Sequence, residues 1–508
     1  MKSPRFRPPI LRESWRALLL CLLVAPSVLH AQQQTDAQAM AARLQSMEQK
    51  LDAQQREIEA DRAALAALRS QVAAMTAGAT AATPNPEGAT SSSDISALRQ
   101  AVADLRDEQS VQQSEIAVHE QSKVETRSRY NLKVGGLILF NAFQNDGSVD
   151  SIDVPAVAMQ RSAGQSHGSE GASLRQSLIS LDATGPQFWG AHSYANLQVD
   201  FFGGLSTADY ATTAGSVRMR SATVETDWPS WRIHAGLERL IAASSSPTSF
   251  ATVGEPAMAW SGNLWAWLPQ FAVEKRWDLS DTRELSLTAA LVDVPDPSPS
   301  SNGYDRTASA AERSRYPGSE LRAGYAWGRD RASFIGASGY FSPHDYGSAG
   351  RVNAWAALTD WNFVLPAHLA LSGQAYKGQA LGGIGGGTFK DVVTAYYGSP
   401  GEYAPHREIG LHDQGGWTQL KFKPTDRFEL NGAFGMDNST AYQLWISGET
   451  PSNAYNGLAR NQTFLGNAIF RPRASILLSV EYRKLRSWQL TSTANEANIV
   501  GLAAGYEF

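Results

Sequence analysis

From Ser128 to the end of the chain, apolar and polar residues alternate in stretches of roughly ten to fifteen residues, separated by turn-forming residues. Examples are "YNLKVGGLILFNAF", "SYANLQVDFFGG" and "ASILLSVEYRKL". A period of two predicts β-strands with one apolar face. We predict about sixteen strands, near 130–143, 172–184, 189–203, 217–227, 230–237, 264–277, 283–294, 319–327, 331–342, 351–363, 367–381, 414–423, 426–438, 460–470, 474–487 and 494–508.

The connections between these strands differ in length in a regular way. Odd-numbered strands lead into long segments, and even-numbered strands lead into tight turns such as "GPQF", "WPS" and "GRD". Outer-membrane barrels have short periplasmic turns and longer extracellular loops. A soluble sandwich or propeller is the alternative, but it would not carry loops of about twenty to thirty residues on one rim only. The sequence therefore predicts an all-β fold over 126–508, a transmembrane antiparallel β-barrel of about sixteen strands.

The last eight residues, "GLAAGYEF", carry an apolar stripe of one parity: Leu502, Ala504, Tyr506 and Phe508. We expect this stripe to face lipid, with the last strand paired to the first so that no edge remains in the bilayer. The ending resembles the C-terminal signal that barrel-assembly machinery recognises. Phe508 and Tyr506 are the candidate assembly signal.

A heptad pattern precedes the strands. Apolar positions alternate at spacings of four and three from Met40 to Met75, interrupted by Gln54 and Asp61, and a second seam runs from Ile95 to Ile116. A Pro/Gly/Ser linker separates them near 76–93. The pattern predicts an α-helical coiled-coil stalk over 32–125. Its apolar stripe would be buried by further copies of the chain, and the alternative is one amphipathic helix packed on its own domain.

Basic residues and a short apolar run at residues 1–31 predict a cleaved signal peptide. The run is too short for a membrane-spanning helix, which needs about 20 apolar residues. The single cysteine, Cys21, lies inside the run without the small residues that lipid attachment requires, so a lipoprotein is the less favoured alternative. The mature chain thus has no cysteine, which excludes disulfides and cysteine metal sites. We expect the stalk in the periplasm and the barrel in the outer membrane.

Composition and motifs reduce the number of possible functions. A net charge of -5 gives no reason to expect nucleic acid as a partner. The mean hydropathy of -0.30 would suit a soluble protein, but a barrel with alternating faces averages to the same value. None of the nine histidines has nucleophile or metal spacing, and motifs for hydrolysis or phosphate binding are missing, so we expect neither an enzyme nor a cofactor. An envelope-tethering or adhesive protein with the barrel as anchor is the alternative function.

Taken together, the signal, the stalk, "SRYNLKVGGLILFNAF", "ANLQVDFFGG", "VRMRSATVETDW" and the final Phe508 resemble the trimeric sixteen-stranded porins of the DcaP type. The resemblance implies a diffusion channel for small hydrophilic solutes, often anions such as dicarboxylates. The expected partners are further copies of the chain in a homotrimer, outer-membrane lipid, barrel-assembly machinery, peptidoglycan through the stalk, and small anionic solutes.

Parity arguments select the candidate pore-lining residues. Arg218 and Arg220 share one face of their strand, and an arginine facing lipid at the midplane costs about 2–4 kcal/mol, so we expect both to face inward. The same argument selects Arg232 and His234, and, with less regular alternation, Arg175, Arg322, Arg483 and Lys133. Several cations in one lumen would concentrate anions. For each residue, the alternative is pairing with a carboxylate such as Glu225 or Glu481, which would make it structural.

The third long loop, from about Glu238 to Gly262, is mostly small and weakly polar and carries Arg239 and Glu255. Its apolar residues would be unusually exposed on a surface loop. In sixteen-stranded porins the third loop narrows the channel, so we expect this loop to fold inward. A surface loop is the alternative.

Overall fold

The computed structural model describes residues 131–204, 215–295, 307–396, 406–446, 455, 457–490 and 493–508. The predicted signal peptide and coiled-coil stalk lie outside the described residues, so both remain predictions.

The described residues form one antiparallel β-barrel and a small hairpin. The strands are β1 (Asn131–Asp146), β2 (Gly168–Ser173), β3 (Leu178–Phe188), β4 (Ala191–Asp200), β5 (Arg218–Asp227), β6 (Trp231–Arg239), β7 (Trp267–Ser280), β8 (Arg283–Val292), β9 (Gly318–Trp327), β10 (Ser333–Asp345), β11 (Arg351–Leu365), β12 (Leu369–Gln379), β13 (Val392–Tyr396), β14 (His406–Gly410), β15 (His412–Thr425), β16 (Phe428–Ser439), β17 (Leu458–Arg473), β18 (Ile476–Gln489) and β19 (Ala494–Glu507). β13 and β14 form the hairpin, and the other 17 form the barrel sheet. β2 and β3 both pair with β1, one after the other, and together form one wall strand. The predicted sixteen-stranded antiparallel barrel is therefore confirmed.

The last strand closes the barrel on the first. β19 pairs with β1 from Leu137 opposite Glu507 to Asp146 opposite Asn498. Beyond the paired strand, Phe508 exchanges two backbone hydrogen bonds with Gly136, of 3.0 and 3.1 Å. No strand edge is left open along this seam, which is what a barrel in a bilayer requires.

Side chains alternate between an apolar outer face and a more polar inner face. In β19, Leu502, Ala504 and Tyr506 are exposed on the outer face, whereas Ala503 and Gly505 between them are buried. Other exposed apolar side chains of the outer face include Ile138, Phe140, Leu287, Leu321, Phe464 and Val480. Buried polar side chains of the wall include Asn141, Gln270, Gln374, Gln419, Asn431 and Asn467. The outward direction expected for the stripe of "GLAAGYEF" is confirmed.

Tight turns join the strands at one rim, and most connections at the other rim are long. The fifth and eighth connections of the long-loop rim are exceptions, because they span only 346–350 and 490–493. Two short helices, α1 (Ala310–Arg313) and α2 (Ala441–Ile446), lie in the fourth and seventh connections. Within the described residues, no helix is long and apolar enough to cross a membrane.

Two local predictions need correction. The single strand predicted over 172–184 is interrupted between β2 and β3, where Ser177 N donates to the Leu174 carbonyl in a turn. The interruption turns Gln176 into the barrel, where its side chain is fully buried. The hairpin of β13 and β14 was not predicted, because it lies within the glycine-rich sixth connection and pairs only with itself.

Candidate pore constriction

Loop 3, the connection 240–266 between β6 and β7, crosses the inside of the barrel. Asn141 on β1 donates to Phe250 O at 2.7 Å. Gln419 on β15 accepts from Thr248 N at 2.6 Å, and Asn461 on β17 donates to Trp260 O at 3.0 Å. These strands lie on different parts of the wall, so the loop reaches them only through the interior. The prediction that loop 3 folds inward is confirmed.

Close contacts between backbones allow the loop to lie against the wall. Gly262 has φ +94°, and a Cβ there would lie 2.1 Å from Gly416 O. A Cβ on Gly435 would lie 2.3 Å from Ser261 O. Only glycine fits at these two positions, in the first case also because of its positive φ. The apolar side chains Met258 and Trp260 are buried, as inward folding requires.

Two further connections also fold inward. In the first connection, Pro155 O accepts from Arg483 on β18 at 3.0 Å, and Ala158 N donates to Ser487 at 2.9 Å. In the glycine-rich sixth connection, Gly387 N donates to Asp413 at 2.9 Å. The Phe389 ring stacks on Trp260 with 3.9 Å between centroids. The glycine-rich segment therefore packs on loop 3.

A β-bulge directs Arg218 and Arg220 to the inside. Gln198 lies opposite Ser221 and Val199 opposite Met219, which leaves Arg220 without a partner on β4. Met219 is 54% exposed on the outer face, and the arginines on either side of it turn inward. Such bulges re-aim side chains locally. Simple parity predicted the inward direction of both arginines correctly. Because Arg220 is the extra residue of the bulge, the next residue, Ser221, also faces inward.

Both arginines contact one buried carboxylate and the backbone of loop 3. Arg218 forms two hydrogen bonds with Asp200, Nε to Oδ1 at 3.0 Å and Nη2 to Oδ2 at 2.6 Å. Arg220 Nη1 lies 3.7 Å from Asp200 Oδ2. Arg218 also donates to Gly254 O and Arg220 donates to Val253 O, each at 2.6 Å. Two guanidiniums share one carboxylate, so one positive charge remains.

Gln176 holds the same segment of loop 3 from the other side. Its Oε1 accepts from the backbone N–H groups of Val253 and Gly254, and its Nε2 donates to Ala251 O at 3.0 Å. Arg218 and Arg220 donate to the carbonyl groups of Gly254 and Val253, and Gln176 accepts from the N–H groups of the same two residues. The loop is thus fixed beside the arginine pair.

Aromatic rings lie beside the guanidiniums. Arg175 lies over the Phe202 ring at 4.3 Å and Arg218 at 5.4 Å. Arg220 lies over the Trp267 ring at 4.7 Å. An aromatic face attracts a cation without neutralising its charge. These rings therefore stabilise several like charges close together.

Arg239 and Glu255 belong to the same region. Arg239 Nη2 donates to Ser246 Oγ at 2.8 Å and Ser245 O at 3.2 Å, both neutral acceptors. Glu255 is partly buried in a narrow cleft between loop 3 and the first connection, with Arg483 also in the lining. Burial, followed by the nearby Asp150 carboxylate, raises the pKa of Glu255 to about 7, although Arg218 acts in the opposite direction. Its charge therefore varies near neutral pH.

Three other candidate arginines are paired. Arg175 contacts Asp153 at 2.9 Å and Arg483 contacts Glu481 at 3.2 Å. Arg322 forms two hydrogen bonds with Asp360, of 3.2 and 2.7 Å. These three arginines are therefore paired with carboxylates, which is the alternative to a role in the pore that the sequence left open.

Near the short-turn rim, the remaining candidates have acidic neighbours. Arg232 Nε lies 3.1 Å from Glu225 and 3.8 Å from both Asp227 and Glu274. His234 Nδ1 contacts Glu238. Lys133 is exposed and stands opposite Asp182 in the register of β1 and β3. The ten candidates therefore do not form one cluster. Glu255 of loop 3 lies in one region with Arg218, Arg220 and Arg239, and Arg175 and Arg483 adjoin this region.

Sequence reasoning missed several residues of this region. Asp200 was not predicted as the partner of the arginine pair, and Gln176, Phe202 and Trp267 were not singled out. The strand register contains the signal for Asp200, which stands directly opposite Arg218. In the described part of the chain, no group of three or more His, Cys, Asp or Glu residues could hold a metal ion.

Comparisons with known proteins agree with the fold. The chain is similar to the crystal structure of the outer membrane channel DcaP of Acinetobacter baumannii, with TM-score 0.54 and 18% sequence identity over 75% of this chain and 99% of that chain. The barrel thus has the fold of an outer-membrane porin, and the predicted resemblance to DcaP is confirmed for the barrel. This fold agrees with the expectation that the chain is not an enzyme.

Weaker similarities extend to other porins. The anion-selective porin from Comamonas acidovorans matches with TM-score 0.45 and 10% identity over 75% of this chain and 100% of that chain. OmpT of Vibrio cholerae matches with TM-score 0.44 and 7% identity over 76% and 100%. No family model and no curated protein matches the chain.

Proposed function

We propose that the protein is an outer-membrane diffusion channel for small hydrophilic solutes and that it favours anions such as dicarboxylates. The arginine pair beside loop 3 carries this proposal. Arg218 and Arg220 share only one carboxylate, Asp200, so the segment of wall that faces the loop keeps a positive charge. Fixed charges lining a narrow passage concentrate ions of the opposite sign.

The arrangement suits carboxylates in particular. A guanidinium has five N–H donors in a planar fork, and the hydrogen bond to Val253 O uses one donor of Arg220. Arg239 makes its hydrogen bonds with neutral groups, so its charge adds to that of the pair. A small dianion could interact with Arg220 and Arg239 together as it passes. The DcaP channel has the same fold, which supports a channel function for this barrel.

Replacing both arginines tests the selectivity. In planar bilayers with a salt gradient, R218Q/R220Q should shift the reversal potential away from anions and slow dicarboxylate flux more than flux of a neutral sugar of similar size. R218K/R220K should keep the reversal potential, because it keeps the charge, but should lose part of the preference for dicarboxylates. Heat-modifiable migration in gels checks that each variant has folded. An unchanged reversal potential in the glutamine variant would reject anion preference and leave a general diffusion channel.

Assembly is proposed from the two ends of the chain. Phe508 and Tyr506 lie on the outer face at the short-turn rim and would serve barrel-assembly machinery, while the stalk over 32–125 would support a homotrimer in the outer membrane and could reach peptidoglycan. Deleting 32–125 should leave a conducting barrel whose trimer dissociates more easily on heating. A trimer of unchanged heat resistance would remove the stalk from this role.

A further inference from the structure

A cluster of cations lies on the outer face of β17 and β18, away from the lumen. It consists of Arg460 and Arg486, which lie over the ring of Trp488, and of Lys484 in the same outward row of β18, and we name it the rim patch. We propose that the rim patch binds the phosphorylated head group of a lipid in the outer leaflet of the membrane. The proposal rests on the outer-membrane location of the barrel and not on its solute selectivity.

The alternation of β18 sets the direction of these side chains. Leu485 and Ser487 are buried on the inner face. Leu478, Val480 and Tyr482 are exposed on the outer face. Lys484 and Arg486 continue that outer row, with side chains 36% and 38% exposed. The patch is therefore accessible from the membrane side.

The patch lies at the height of lipid head groups. β18 runs from a short turn at 474–475 to the connection 490–493 at the long-loop rim. Its outer row passes from the apolar Leu478 and Val480 to Tyr482 and only then to the cations. Tyr and Trp mark the boundary between hydrocarbon and head groups. Acyl chains can thus lie on the apolar residues while a head group of the same lipid contacts the cations.

The patch carries a surplus of positive charge. Glu496 on β19 is shared by Lys484 at 2.9 Å and Arg486 at 2.8 Å. Arg460 donates to the amide oxygen of Asn438 at 2.6 Å, a neutral acceptor. Among the described residues, three cations therefore face one carboxylate, which leaves two positive charges for an anionic ligand. In the part of the chain that the structure describes, the next outward carboxylates are Asp146 on β1 and Glu170 on β2, beyond the polar Asn498 of β19.

The geometry favours phosphate over other anions. The guanidiniums of Arg460 and Arg486 lie over the Trp488 ring at 5.6 and 5.0 Å. Contact with the ring limits the movement of both groups, and a guanidinium fork matches the oxygens of a phosphate. Basic groups at a membrane surface recognise phosphorylated head groups in the same way.

Native mass spectrometry of the full-length protein with lipid A carrying two phosphates tests the proposal. R460Q/K484Q/R486Q should weaken binding about tenfold or more, since each cation near an anionic lipid surface contributes to affinity. E496Q should strengthen binding, because it removes the carboxylate that competes for the same cations. The conductance of both variants should equal that of the wild type, because the patch faces away from the lumen.

Matched controls separate lipid from other causes. K275Q neutralises an outward lysine that lies over Trp231 and Trp277 at the opposite rim, and it should bind lipid A as the wild type does. Lipid A without phosphates should bind the wild type and the triple variant equally weakly. Equal lipid retention by the triple variant and the wild type, or weaker binding by E496Q, would overturn the proposal. Displacement of the lipid by an equal concentration of inorganic phosphate would also overturn it, because a free anion site would then explain the patch.

Discussion

The two ends of strands β5 and β6 use the same residue type with opposite results. At the end beside loop 3, Arg218 and Arg220 share the single carboxylate of Asp200. At the short-turn end, Arg232 lies near Glu225, Asp227 and Glu274, and Arg276 also contacts Asp227, so three carboxylates face two guanidiniums. An inward arginine thus makes one part of the wall positive and leaves another part negative. The inward direction of an arginine does not by itself set the local charge of a channel. That charge depends on the number of carboxylates for each guanidinium.

Removing Asp200 should have the largest effect on this contrast. D200N leaves the two guanidiniums without their fully buried carboxylate, and breaking a buried pair in this way costs about 3 kcal/mol or more of the free energy of unfolding. The charge beside loop 3 also rises by one unit. We expect a lower midpoint in urea unfolding together with stronger anion selectivity in bilayers. Unfolding at the wild-type midpoint would mean that the carboxylate does not stabilise the pair.

Removing Arg232 should have a smaller effect and the opposite electrical sign. Its side chain is 38% exposed, and exposed pairs contribute only about 0–1 kcal/mol, so R232Q should unfold at nearly the wild-type urea concentration. The three carboxylates are then left without this cation, and the reversal potential should shift toward cations. K275Q, which neutralises an outward lysine on the neighbouring strand, is the matched control. It should change neither the urea midpoint nor the reversal potential. A shift toward anions in R232Q would contradict the acidic character of this end.

Changing the pH should give the smallest effect, and only at the loop 3 end. Glu255 has a pKa raised to about 7, so it is mostly neutral at pH 6 and mostly ionised at pH 8. Protonation removes a negative charge near Arg218, and anion selectivity should therefore increase as the pH falls through this range. E255Q should lose most of the dependence and resemble the wild type at pH 6. If E255Q keeps the full dependence, another group titrates in the channel.

The strands were predictable from the sequence because each has a lipid-facing side that must be apolar. The predicted 283–294 and 494–508 agree with β8 and β19 to within two residues at each end. The interruption between β2 and β3 was not predictable, because it depends on Gln176 binding a loop about 75 residues later in the chain. The alternation of apolar and polar residues shows which side of a strand faces lipid. It contains no information about contacts inside the barrel.

The candidate site was predictable only in part, for a related reason. Parity selected Arg218 and Arg220, although the bulge at Arg220 shows that the alternation is locally broken. The pairing with Asp200 needs the register between two strands, and the stacking of Phe389 on Trp260 needs the path of two long loops. Neither register nor path follows from the residues of one strand.

The hydrogen bonds of loop 3 have a consequence for the order of folding. Its partners Gln419, Asn461 and Asn467 follow it by 171, 201 and 219 residues. Contacts between such distant parts of the chain form late, because the long intervening segment must first be ordered. The loop thus completes its docking only as the last strands join the wall. We therefore expect the barrel to close and loop 3 to dock in the same late step of folding.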